Sequence, residues 1–65
     1  MSDLTTRRQM AAECLIKGNI DSRGSKLYYL PGDSGYGSVK IDAAQGERMF
    51  CSEQEAIAAG WQRKN

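Results

Sequence analysis

The apolar positions of this chain change period several times, and each change marks an expected element. Met10, Ala11, Cys14 and Leu15 recur at the three-and-four spacing of a helical stripe. Thr5 or Thr6 can cap it, so the pattern predicts a first helix from roughly Arg7 to Leu15. Gly18 and Asn19 oppose its continuation, and Leu15 to Ile20 reads instead as the start of a strand. Asp21-Ser22-Arg23-Gly24-Ser25 is turn chemistry, and Lys26-Leu27-Tyr28-Tyr29-Leu30 is rich in strand formers. Residues 15–30 are therefore expected to form a hairpin around a five-residue loop.

Pro31 to Gly35 cannot continue a regular strand, and with Gly37 and Ser38 this stretch makes a loop whose only large side chain is Tyr36. Val39-Lys40-Ile41 alternates as a short strand would, Asp42 to Gly46 turns, and Glu47 to Cys51 supplies the last strand of an antiparallel sheet. Ser52-Glu53-Gln54-Glu55 is a capping box, in which the serine oxygen accepts from the N–H of residue 55 and the Glu55 carboxylate reaches back to the N–H of residue 52. A helix from Glu53 to about Ala59 follows. Gly60 stands at the left-handed terminating position, and Trp61 can fold its ring against helix and sheet.

The fold class expected is α+β, a small three- or four-stranded antiparallel sheet packed with an N-terminal helix and a short C-terminal helix. A chain of 65 residues buries only about 60% of the surface its unfolded form exposes, so it makes one domain over residues 1–65. Residues 1–13 are expected to be a helical extension and residues 14–61 the core. Such a core supplies roughly 3–5 kcal/mol.

The chemistry available is narrow. The chain has no histidine, so a serine or cysteine nucleophile would need a lysine or carboxylate of strongly displaced pKa as its base, and an enzyme is not expected. Cys14 and Cys51 could form one disulfide, but in a cytosolic setting they are expected to be reduced and buried. Two thiols without imidazole cannot complete a four-ligand zinc site unless carboxylates join, and neither metal nor cofactor is expected. Gly32, Gly35 and Gly37 lack the lysine-serine or lysine-threonine pair and the following helix of a phosphate loop. No apolar run reaches the length of a membrane span or a signal-peptide core, so the chain is expected to stay in the cytoplasm.

Charge adds one asymmetry. Nine Lys/Arg oppose eight Asp/Glu, yet residues 33–55 carry Asp33, Asp42, Glu47, Glu53 and Glu55 against Lys40 and Arg48 alone. Glu53 and Glu55 suit the first turn of any helix. If the other three lie near that turn, the five make one anionic surface able to occupy a basic groove built for nucleic acid. Tyr36 or Tyr28 could anchor such a contact. The competing reading is a nucleic-acid-binding accessory module that contacts phosphates through Arg7, Arg8, Lys17, Arg23 and Lys26.

From Cys14 to Trp61 the order Cys-Leu-Ile-Lys-Gly-Asn-Ile, then Lys26 to Gly32, then Gly46-Glu47-Arg48-Met49-Phe50-Cys51-Ser52-Glu53 and Ala58-Ala59-Gly60-Trp61, resembles the sunset domain, a short bacterial module sometimes found beside nuclease domains. The resemblance implies a fold more firmly than a function. The chain departs from that family at Tyr29 in place of a usual histidine, at Met49 in place of a usual tryptophan, and in the loop from Ser34 to Ser38. As a whole the chain, its first thirteen residues included, is similar to small phage anti-CRISPR proteins of the type I-C inhibitor group. That similarity implies a non-catalytic inhibitor in the bacterial host cytoplasm, bound to the large DNA-recognising subunit of a type I-C effector complex and mimicking DNA. Asp33, Tyr36, Asp42, Glu47, Glu53 and Glu55 would then be partner-binding, and direct contact with nucleic acid is not expected.

Overall fold

The computed structural model describes residues 14–64. The N-terminal helix expected from Arg7 onward lies outside them, except for its last positions, Cys14 and Leu15, which are not helical and lead directly into a strand.

The hairpin forms as expected. β1 (Ile16–Ile20) pairs antiparallel with β2 (Lys26–Tyr29), from Lys17 opposite Tyr29 to Ile20 opposite Lys26. Asp21 shapes the loop between them, because its Oδ1 accepts from the N–H groups of Arg23 (2.9 Å) and Ser25 (2.8 Å). β3 (Arg48–Phe50) pairs antiparallel with the other side of β1, with Ile16 opposite Phe50 and Gly18 opposite Arg48. α1 (Glu53–Ala58) follows.

Two expectations fail here. Val39 to Ile41 forms no strand; the chain there makes a 3-10 helical turn at Tyr36–Ser38, a second at Ala43–Gln45, and an irregular link between them. Three residues are too few to hold a strand without a partner, and both sides of β1 are already taken by β2 and β3. The sheet is also mixed rather than antiparallel, since β4 (Gln62–Arg63) pairs parallel with β2 and the strand order is β3-β1-β2-β4. Parallel strands cannot be joined by a tight turn, and α1 supplies the crossover that carries the chain from β3 to β4.

That crossover determines the core. Side chains alternate across a strand, so Ile16, Gly18 and Ile20 face one side of β1 and Lys17 and Asn19 the other. On the first side Ile16, Tyr28, Phe50, Ala56 and Trp61 make the buried cluster, with Ile20 and Leu30 packed against it. The Phe50 and Trp61 rings meet edge to face at 5.5 Å between centroids. Trp61 reaches them because α1 ends as expected: Gly60 has φ +96°, its N–H donates to Ile57 O (2.9 Å), and the Trp61 N–H donates to Ala56 O (3.0 Å). Those two bonds turn the chain back over its own last turn and drop the indole onto Ala56.

The opposite side of the sheet is covered by the loop after β2. Tyr29 is buried there, beneath Gly35. Lys17 fastens the loop: its ammonium donates to Tyr36 O and Val39 O (2.8 Å each) and lies 4.2 Å from the centre of the Tyr36 ring. Among the described residues no helix is long and apolar enough to cross a membrane.

Candidate interaction surface

The six residues singled out by the sequence are distributed over three places. Glu47 is buried, at 6% exposure, and it is structural. Its Oε2 accepts from the Ile20 N–H (3.0 Å) and its Oε1 from the Asp42 N–H (2.8 Å). The carboxylate thus extends the β1/β3 pairing beyond the end of β3 and fixes the turn before it, where no backbone carbonyl serves. A buried carboxylate with both oxygens so used offers nothing to a partner, which corrects its expected place on the surface.

Asp42 lies at the same end of the sheet and caps the second 3-10 turn, accepting from the Ala44 N–H (3.1 Å). Glu55 lies at the other end. β1 separates them, since Glu47 bonds to Ile20 whereas Cys51 follows Phe50, the partner of Ile16; four strand steps come to about 13 Å. Ser52 Oγ accepts from the Glu55 N–H (3.1 Å) as expected, but the Glu55 carboxylate reaches one residue further back, to the Cys51 N–H (2.9 Å). Arg48 stands beside Glu55 at 3.9 Å, with both side chains well exposed.

Asp33 and Glu53 are brought together. Arg63 of β4 donates two bonds to Asp33, Nε to Oδ2 (3.0 Å) and Nη2 to Oδ1 (2.8 Å), and its Nη1 lies 3.6 Å from Glu53 Oε2. The same Glu53 oxygen accepts from the Tyr28 hydroxyl (3.0 Å), and Asp33 Oδ2 also accepts from the Leu30 N–H (2.8 Å). Arg63 is the residue that sequence reasoning missed. Its only signal would have been the recognition of Gln62 and Arg63 as a strand, which two residues cannot give.

These contacts set the charge states. The Arg63 guanidinium, helped by the Leu30 N–H, holds the Asp33 carboxyl below its ordinary range. Asp33 in turn raises Arg63. Burial, reinforced by the hydrogen bond to Glu53, pushes the Tyr28 hydroxyl up. Counted by formal charge, the group of Tyr28, Asp33, Glu53 and Arg63 carries one net negative charge.

Neither tyrosine is presented as a free anchor. Tyr28 is buried, and Tyr36 is half-buried with its hydroxyl donating to Leu15 O (2.6 Å). The cysteines also differ from expectation: Cys14 and Cys51 are joined as a disulfide, with Cys51 exposed. The register explains their meeting, because each lies just beyond the Ile16 and Phe50 pair. No group of three or more Cys, Asp and Glu side chains suited to a metal ion occurs among the described residues. Compared with known proteins, the chain matches no family model, no curated protein and no solved structure.

Proposed function

We propose that this chain is a non-catalytic inhibitor of a type I-C CRISPR effector complex, acting in the bacterial host cytoplasm by occupying a target-DNA surface on the large subunit. The likeness of the whole chain to that inhibitor group supports the reading. The observation that carries its mechanism is the Asp33–Glu53 pair, drawn from a loop and a helix start and left with a net negative charge around Arg63. Glu55, also exposed, stands on the other flank of the start of α1, beside Arg48. The contact surface proposed is therefore centred on Asp33 and Glu53, with Glu55 at its flank, Asp42 apart from it, Glu47 withdrawn into the fold and Tyr36 bracing the loop behind.

The test is binding of purified effector complex to the Glu53→Lys/Glu55→Lys double variant, with Asp42→Lys as the control and Trp61 emission as the check on folding. The double reversal is expected to weaken binding by about tenfold or more at low ionic strength, and the deficit should shrink as salt screens the surface. Equal affinity of the folded double variant and the parent at every salt concentration would exclude the acidic-surface mechanism. The alternative, a nucleic-acid-binding accessory module, has lost Lys17, whose ammonium is spent on two loop carbonyls and a ring. Retardation of DNA or RNA at low salt, abolished by Arg23→Ala/Lys26→Ala, would favour it instead.

A further inference from the structure

The Cys14–Cys51 disulfide is covalent, yet neither sulfur belongs to the buried cluster of Ile16, Tyr28, Phe50, Ala56 and Trp61. Several non-covalent contacts among the described residues hold this part of the fold beside it. β1 and β3 are paired from Ile16 to Gly18, Ser52 caps α1, Glu55 takes the Cys51 N–H, and Glu47 ties the far end of β3 to Ile20. The two cysteines are unequal in access: Cys51 is exposed, and Cys14 is half-buried.

We infer that Cys51 Sγ is a thiol-exchange site, and that opening the Cys14–Cys51 bond with a small thiol leaves the fold standing. The inference is independent of the identity of any partner. Exchange requires a thiolate to approach one sulfur along the S–S axis, so the sulfur of the more exposed residue, Cys51, is the one expected to be attacked. In the first step the thiolate of a low-molecular-weight thiol bonds to Cys51 Sγ. The protein S–S bond breaks, its electron pair leaves on Cys14 Sγ, and that thiolate takes a proton from water. In the second step another small thiolate attacks the small-molecule sulfur of the mixed disulfide, and Cys51 departs as a thiolate and is protonated. Two small thiols are oxidised to one disulfide, and one protein disulfide is reduced to two thiols.

The consequence is one fold in two covalent states. In the oxidised state the residue preceding β1 by two is fastened to the residue preceding the cap of α1. In the reduced state that fastening is gone, and Cys51 is a surface thiol open to modification.

The experiment uses the oxidised full chain incubated with reduced glutathione, quenched with acid, alkylated with N-ethylmaleimide and mapped by peptide mass spectrometry. The emission of Trp61, the only tryptophan, reports the core in parallel. The expected result is a glutathione adduct on Cys51 with Cys14 alkylated, followed by full reduction with native Trp61 emission retained at 25 °C. The melting temperature of the reduced chain should fall by roughly 10–25 °C, and the Cys14→Ser/Cys51→Ser variant should reproduce the lower value. An adduct predominantly on Cys14, a bond that survives millimolar glutathione, loss of native emission on reduction, or a double variant that does not fold would each overturn the inference.

Discussion

Gly18 shows how closely a single position can be constrained in a core this thin. A Cβ built there would lie 2.6 Å from Phe50 Cε2, 2.9 Å from Arg48 O and 3.1 Å from Trp61 Cζ3. An aromatic ring can tilt away, but the Arg48 carbonyl belongs to the strand paired with Gly18 and cannot retreat without loosening that pairing. Gly18→Ala is therefore expected to cost about 1–3 kcal/mol through overpacking, although alanine favours a strand interior over glycine on backbone entropy alone. Urea denaturation followed by Trp61 emission measures it, and a variant as stable as the parent would show that the close approach is not needed. Glu47 illustrates the complementary case, a buried carboxyl group made tolerable because both of its oxygens accept backbone N–H groups.

Elements in this chain are too short to stand alone. α1 has six residues, well below the length at which an isolated helix persists in water, so its stability comes from its cap, its glycine-terminated end and the burial of Ala56. β4 has two, and Arg63 holds it through the charged pair with Asp33. The folded-state pKa of Asp33 is depressed, so the contribution of that pair is complete above about pH 4 and is lost as pH falls through the lowered value. Asp21 behaves alike, its carboxyl lowered first by the Ser25 N–H and then by that of Arg23. Stability should accordingly decline in acid, and Arg63→Met should move the Asp33 titration upward, toward its ordinary value, as read by carboxyl chemical shifts. An unshifted Asp33 in that variant would mean that the Leu30 N–H alone sets its state.

One crossover organises the whole molecule, and one covalent link reinforces it without being required for the fold. A disulfide closing a separation of 37 residues contributes about 4 kcal/mol on a loop-closure estimate, comparable to what so small a core supplies. Trp61 is where the crossover meets the sheet, and Trp61→Ala is expected to cost about 3–5 kcal/mol. In thiol buffer that loss should abolish the native far-UV circular dichroism, while the oxidised chain should keep a folded fraction. Full native signal in the reduced variant would place the folding energy elsewhere.

Local chemistry was readable without coordinates: the Asp21 to Ser25 turn, the serine cap of α1, the glycine end and the inward Trp61 each depend on residues within a few positions of one another. What needed the tertiary structure was whatever depends on residues far apart in the chain. The parallel pairing of Gln62 and Arg63 with β2, the withdrawal of Glu47 between Ile20 and Asp42, the use of Lys17 to fasten the Tyr36 loop, and the joining of Cys14 to Cys51 follow from which strand lies beside which. A charged side chain reads the same in sequence whether water or a backbone amide will meet it, because only the packed neighbours decide the environment that its charge must satisfy.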